Sequence, residues 1–179
     1  FMSCADMSAV ILDVMRPGPG DGDIMAGQSD YYQLTRGGGH GDYRNIILAP
    51  YTVEEGCQLM QEAFLLAEKY HNPVVVASDG NLAKLRESVK LPGRLEVPAP
   101  EDQYNSLTGY NPARREKHVF LTGMNGVNDV IAINERLKKK FDAMEAKEAR
   151  YDRYLCEDAD IVLVAYGSLA RVCISAMKL

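Results

Sequence analysis

The stretch Asn45–Gly80, NIILAPYTVEEGCQLMQEAFLLAEKYHNPVVVASDG, decides the fold. It begins with a short apolar run, Asn45–Ala49 (NIILA), bounded by Pro50. It ends with another, Pro73–Ala77 (PVVVA), closed by the turn signal Ser78-Asp79-Gly80. Near-continuous apolar runs of this length fit strands buried on both faces, as in parallel sheets. Between them, Thr52-Val53-Glu54-Glu55 has capping-box spacing, in which Thr52 caps the Glu55 amide and Glu55 answers the Thr52 amide. Val53, Cys57, Met60, Phe64 and Ala67 then recur at helical steps and form one apolar stripe. The helix is expected to end near Asn72-Pro73. Strand, helix and strand make a right-handed parallel crossover, the unit of an α/β fold.

Working outward, Ser8–Val14 (SAVILDV) is a third run of the same kind, ending at Arg16-Pro17. After Val89 the composition changes. Lys90–Pro112 carries Pro92, Pro98, Pro100 and Pro112 with no periodicity, and reads as an extended surface connector. Asn125–Tyr154 is a long helical stretch, with Val130, Ile133, Leu137, Phe141, Met144 and Tyr151 at helical spacing. Lys138-Lys139-Lys140 within it reads as a solvated helix face, with a phosphate or partner patch as the alternative. Ala159–Gly167 (ADIVLVAYG) is the most β-like run, and Ser168 is placed to cap a helix over Leu169–Leu179. A buried parallel strand needs neighbours on both sides, so this run reads as the start of a second α/β domain. The expected organisation is a first domain over 1–89, a connector with a long helix over 90–158, and an incomplete domain over 159–179. Such a chain is expected to be an excerpt of a longer polypeptide.

Composition narrows the function classes. A hydrophobic share of 46% and a charged share of 25% are those of an ordinary globular domain, not of a disordered tail or a rod. No apolar run reaches the roughly 18–20 residues of a bilayer span, and no membrane association is expected. The opening FMSCADMSAVILDV lacks a basic segment and carries Asp6 and Asp13, unlike a secretory signal. A net charge of −5 argues against nucleic-acid binding. Cys4, Cys57, Cys156 and Cys173 form no CxxC pair for zinc or an iron–sulfur cluster, and read as reduced, mostly buried thiols of a cytoplasmic protein. His40, His71 and His118 are too dispersed for a metal site.

Eight of the fifteen glycines lie in Met15–Asp42. The segment Arg16–Arg44 reads RPGPGDGDIMAGQSDYYQLTRGGGHGDYR. Glycine-rich loops let backbone approach a ligand and can present amides to an anion. The phosphate signatures are missing: there is no GxxxxGK[ST] and no GxGxxG between a strand and a helix. From its chemistry alone the segment is a long structured loop, either a ligand loop or a connector.

The same residues carry a resemblance. Arg16-Pro17-Gly18-Pro19-Gly20 after a strand, then Gln28-x-Asp30-Tyr31-Tyr32-Gln33-x-Thr35-Arg36-Gly37-Gly38-Gly39-His40-Gly41-Asp42-Tyr43, resembles the α-type subunit of 2-oxoacid:ferredoxin oxidoreductases. The GGGHGDYR string, followed by ILAP, a helix, NPVVVASDG and DADIVLVAYGS, is most similar to the branched-chain (3-methyl-2-oxobutanoate, or ketoisovalerate) type across nearly the whole chain. The resemblance implies an enzyme that decarboxylates a 2-oxoacid on thiamine diphosphate, passes electrons through iron–sulfur clusters to ferredoxin and releases an acyl-CoA. It implies a pyrimidine-type thiamine diphosphate-binding domain over 1–89 and a transketolase C-terminal-like domain beginning at 159. It also implies that a β-type partner subunit holds the diphosphate and its Mg²⁺, and that the clusters and coenzyme A lie with other, ferredoxin-like chains of an oligomer. The present chain agrees, since it has no strand-borne GDG followed about 25–30 residues later by Asn. The family's pyrimidine-contacting glutamate lies upstream of Phe1, and Glu54, Glu55 and Glu62 do not match it. No catalytic residue is therefore expected here, and the chain alone is expected to be inactive.

Arg16 is the best functional candidate. It follows a strand at the carboxyl end, where ligands of parallel sheets bind, and a guanidinium suits a 2-oxoacid carboxylate. The alternatives are pairing with Asp21 or Asp23, or contact with a partner subunit. Gly18, Gly20, Gln28, Asp30, Arg36, Gly39 and His40 make up the loop facing a partner or cofactor, with Gln28, Asp30 and Arg36 ordering the loop or touching the partner. His40 reads as a loop-anchoring hydrogen bonder or a proton shuttle, and Tyr31 and Tyr32 as packing or interface aromatics. Two other readings stay open: a non-catalytic α/β assembly module, and a transketolase-like or E1-like subunit that does not use ferredoxin.

Overall fold

A computed structural model of the chain describes residues 1–96 and 122–178. The rest of the expected proline-rich connector, with Pro98, Pro100 and Pro112, and His118, lie outside the described residues. Among the described residues there are three parallel strands, β1 (Ala9–Met15), β2 (Ile46–Leu48) and β3 (Pro73–Asp79), in the order β1-β3-β2. β3 is central, with Ile46 opposite Val74 and Leu48 opposite Val76 on one side, and Ala9 opposite Pro73 and Met15 opposite Asp79 on the other. Its β-branched valines are buried, as expected for a strand with a neighbour on each side.

β1 differs from expectation. It lies at a sheet edge, and Ile11, Leu12 and Val14 remain 42%, 58% and 44% exposed. With one hydrogen-bonded neighbour among the described residues, it is not buried on both faces; only Met15, at its end, is fully enclosed.

Between β2 and β3 runs α2 (Val53–Tyr70). The Thr52 hydroxyl accepts from the Glu55 amide at 3.1 Å, and the Glu55 carboxylate accepts from the Tyr51 amide at 2.7 Å, one residue before the amide expected. His71 closes the helix in the left-handed region at φ 47°. The buried face is rotated from the expected stripe. Ala63, Leu66 and Ala67 are buried, whereas Phe64 is 56% exposed. Two alanines let the helix lie close against Val74 and Val76; a phenylalanine there would hold it off.

A second long helix, α3 (Val127–Glu148), is shorter than the expected Asn125–Tyr154 at both ends. Its second half sends Phe141 and Met144 into the core with Leu48, Leu66 and Val74, while Val127 and Ile131 in its first half stay exposed. Tyr151 lies past the helix and is exposed. The lysine run is not uniformly solvated either. Lys138 pairs with Asp142 on the surface, but Lys140 is largely enclosed and donates to the Asp6 carboxylate at 2.8 Å and to the Ser3 and His71 carbonyls. Arg136 also binds Asp6, so the turns before β1 are tied to α3.

The run Ala159–Tyr166 forms no strand. Ile161 and Val164 are 81% and 97% exposed, and the run has no ladder partner among the described residues. β propensity alone does not satisfy a strand's backbone groups, so the expected strand is absent. α4 (Gly167–Ala176) follows; its N-cap is Tyr166 without a side-chain bond, and Ser168 does not cap. The short α1 (Tyr31–Thr35) and a 3₁₀ turn at Leu82–Lys84 complete the described elements. All four cysteines are free and half-buried rather than mostly buried. Among the described residues no helix is long and apolar enough to cross a membrane.

The end of α3 is held to α2 by Glu148. Its carboxylate accepts from Lys69 Nζ and the Tyr70 hydroxyl, both at 2.6 Å, and from Arg150, which also bridges to Glu62 at 2.7 Å. The hydrogen bonds from Lys69 and Tyr70 hold the carboxyl at about 2. A depressed folded-state value stabilises above the ordinary glutamate range, and that contribution is lost as pH falls toward about 2. Thermal melts between about pH 5 and about pH 2 should therefore show a smaller acid loss in Glu148→Gln than in the parent. Identical acid profiles would contradict this assignment. Leu66→Ala should cost about 2–5 kcal/mol in denaturant unfolding, because Leu66 fills the helix–sheet core.

Candidate functional site

β1 and β3 end side by side, and the Gly80 amide donates to the Met15 carbonyl at 3.1 Å. The last residue of β3, Asp79, is 1% exposed. One carboxylate oxygen accepts from the Asn81 and Leu82 amides, each at 3.0 Å. The other accepts from the Ser168 amide at 3.1 Å and the Gln28 carboxamide at 3.4 Å. Asp79 therefore caps the 3₁₀ turn and the first turn of α4 together, the position where a negative charge is favoured. Burial alone pushes its carboxyl up, but the hydrogen bonds from Leu82, Ser168 and Gln28 outweigh that and hold it below the usual carboxylate range.

Gly167 makes this arrangement possible. Its φ is +59°, and a Cβ there would sit 2.8 Å from the Gln28 amide nitrogen and 3.2 Å from the Asp79 carboxylate. Both the backbone region and the space require glycine.

The glycine-rich loop folds back onto these strand ends. Arg16 follows Met15, is exposed, and forms no ion pair among the described residues, with neither Asp21 nor Asp23 pairing to it. The Gly18 amide donates to the Ser29 hydroxyl at 3.2 Å, and the Asp23 amide to the Pro17 carbonyl at 3.1 Å. Lys84 reaches the Ile24 carbonyl at 2.5 Å from the far side. Gln28 turns inward: besides Asp79, its carboxamide donates to the Tyr166 carbonyl at 2.9 Å.

Asp30 stands at the start of α1 without capping it; burial, and after it the charge of Asp30, raises the carboxyl of Asp13 on β1. One oxygen of Asp13 is enclosed with no hydrogen-bond partner among the described residues. The Tyr31 and Tyr166 rings lie 5.9 Å apart, and burial, with Tyr31, Asp79 and Asp30 nearby, pushes the Tyr166 hydroxyl up. Gly20 is exposed; Gly39 lies near the Tyr43 ring. Arg36 and His40 are exposed, and among the described residues neither bonds to the strand ends.

Of the expected residues, Arg16, Gly18 and Gln28 thus meet at the strand ends, and Asp30 borders them. Asp13, Asp79, Tyr166 and Gly167 were not singled out as site residues. Asp79 carried a signal, since Asp commonly bonds amides two and three residues on, but it read only as a turn. A groove of about 450 Å³ beside the first turn of α2 is acidic. Its Glu54, Glu55 and Glu87 already accept from the Lys90, Tyr51 and Val53 amides, so it is a structural seam. Among the described residues no three of His, Cys, Asp and Glu group as cation ligands.

Residues 1–153 match the family described as "Pyruvate flavodoxin/ferredoxin oxidoreductase, thiamine diP-bdg". The chain is 42% identical to the ketoisovalerate oxidoreductase subunit VorB of Methanothermobacter marburgensis, over 99% of this chain and 49% of that protein. It is 31% identical to the 2-oxoglutarate synthase subunit KorA of Archaeoglobus fulgidus, over 100% of this chain and 51% of that protein. The chain thus spans about half the length of the curated relatives it matches. A solved 2-oxoglutarate:ferredoxin oxidoreductase from Magnetococcus marinus, with 2-oxoglutarate, coenzyme A and succinyl-CoA bound, superimposes with a TM-score of 0.74 at 21% identity, over 99% of this chain and 35% of that one. At that identity it shows the fold.

Removing the Asp79 carboxylate should leave three amides without acceptors. Asp79→Ala is expected to cost about 1–3 kcal/mol or more in chemical denaturation. In the parent the contribution is present above the ordinary aspartate range and fades as pH falls through the depressed folded value. Gly167→Ala should destabilise by at least about 1 kcal/mol through its left-handed backbone alone. A neutral Gly167→Ala melt would contradict the geometry.

Proposed function

The chain belongs to the pyruvate flavodoxin/ferredoxin oxidoreductase family, and from that premise we propose that it works as one subunit of a thiamine diphosphate-dependent 2-oxoacid:ferredoxin oxidoreductase. That enzyme oxidatively decarboxylates a 2-oxoacid to an acyl-CoA and reduces ferredoxin. The branched-chain acid 3-methyl-2-oxobutanoate is the substrate, a reading supported by higher identity to a ketoisovalerate oxidoreductase subunit than to 2-oxoglutarate synthase subunits. It acts in a reducing compartment, the cytoplasm, where four unpaired cysteines remain thiols.

Bound thiamine diphosphate supplies the thiazolium chemistry that makes a 2-oxoacid lose carbon dioxide. The described residues fit only one side of that cofactor. They offer a polar edge at the ends of β1 and β3, with the partnerless oxygen of Asp13 beside it. They offer no carboxylate set for the Mg²⁺ of a diphosphate. In this reading a β-type partner subunit holds the diphosphate and its metal, and the iron–sulfur clusters and coenzyme A belong to other chains of the complex. Residues 1–89, which contain the whole described sheet, form the cofactor-facing unit.

The observation that carries this reading is Arg16. Its guanidinium is exposed at the carboxyl end of β1 with no ion-pair partner among the described residues, where a carboxylate ligand of a parallel sheet is bound. It binds the oxoacid carboxylate and orients the neighbouring carbonyl, a role suited to a planar, bidentate donor.

Arg16→Ala in the full-length protein, assembled with its partner subunits, should lower kcat/KM for the oxoacid by about 30- to 150-fold, the equivalent of about 2–3 kcal/mol. Arg16→Lys should recover only part of this, because a lysine cannot form the bidentate contact. Unchanged kcat/KM in Arg16→Ala would rule out carboxylate binding by this residue.

A further inference from the structure

We propose that Gln28 is a positioning residue for Arg16, holding the Arg16 arm of the glycine-rich loop against the buried Asp79 carboxylate and the Tyr166 carbonyl. This rests on the reading of Arg16 as the carboxylate-binding residue. Arg16 has no side-chain partner of its own among the described residues, so its direction depends on the backbone that carries it. That backbone is fixed at one end, where Gly80 bonds the Met15 carbonyl. Two residues past Arg16, the Gly18 amide is held by the Ser29 hydroxyl at 3.2 Å. Ser29 is itself placed by its neighbour Gln28, whose carboxamide spans Tyr166 at 2.9 Å and Asp79 at 3.4 Å. The neck of the loop is thus closed by residues 28 and 29 and anchored to the end of β3.

The anchor is stiff for a physical reason. Asp79 is enclosed and already bonded to the Leu82 and Ser168 amides, so its carboxylate has little freedom to follow a moving loop. Gly167 lets the chain before α4 pass close enough for the Tyr166 carbonyl to accept from Gln28. Three segments distant in sequence therefore meet in one carboxamide: the glycine-rich loop, the end of β3 and the start of α4. A change in the segment leading into α4 would be transmitted to Arg16 through Gln28.

The test compares Gln28→Ala, Ser29→Ala and Arg16→Ala, singly and as the Gln28→Ala/Arg16→Ala double variant, in the full-length assembled enzyme. Gln28→Ala should raise KM for the oxoacid about tenfold while moving kcat far less, since a slightly misdirected contact weakens binding before it blocks chemistry. Ser29→Ala should shift KM the same way by less. In the double variant the two effects should not add, because Gln28 acts through Arg16. Hydrogen–deuterium exchange should be faster across residues 17–29 in Gln28→Ala, with the thermal midpoint of the parent retained. Additive effects, or unchanged exchange in that segment, would overturn the inference. So would a normal KM in Gln28→Ala beside an impaired Arg16→Ala, with the Arg16 reading left standing. A normal Arg16→Ala would instead sink the carboxylate reading and take the coupling with it.

Discussion

One buried carboxylate organises the functional edge of this molecule. Asp79 ends the central strand, and a charge enclosed there is tolerable only when hydrogen-bonded on both oxygens. It finds its donors in the Asn81, Leu82 and Ser168 amides and in the Gln28 carboxamide. Each bond brings a separate piece of chain to the same point. The turn after β3, the first turn of α4 and the glycine-rich loop are placed by the need to satisfy one side chain. Gly167 is the steric counterpart of that need.

The scaffold beneath explains why the edge is steady. β3 lies between β1 and β2, and its valines meet Ala63, Leu66 and Ala67 from α2 and Phe141 and Met144 from α3. Strand ends embedded in such a core move little, whereas loops beyond them can vary. This is why parallel α/β sheets bind ligands past their carboxyl ends, and why Arg16, one residue beyond β1, is presented rather than buried. The glycine-rich loop is positioned by this edge.

What was legible in the sequence was local. The β2–α2–β3 unit followed from two apolar runs and a capping box, because such signals act within a few residues. The site was half-legible: Arg16 from its place after a strand, and Gln28 from its place in a motif. What failed was non-local. Strand order puts β1 at an edge, which no single run reveals. Ile161–Val164 has the composition of a strand but no neighbour to bond among the described residues. Phe64 outranks Ala63 in hydrophobicity, yet close helix–sheet packing selects the smaller residue. Lys140 and Asp79 look solvent-bound until distant partners, Asp6 and Ser168, enclose them.

The chain belongs to the pyruvate flavodoxin/ferredoxin oxidoreductase family, and the part proposed for its strand end is to present one cationic side chain, Arg16, to an anionic substrate. The most direct measurement is the initial rate of coenzyme A-dependent ferredoxin reduction by the full-length protein with the subunits that purify alongside it. Rates would be compared for 3-methyl-2-oxobutanoate, 2-oxoglutarate and pyruvate. The expected result is oxoacid-dependent reduction with the highest kcat/KM for 3-methyl-2-oxobutanoate. A complex that reduces ferredoxin with none of the three would contradict the central claim.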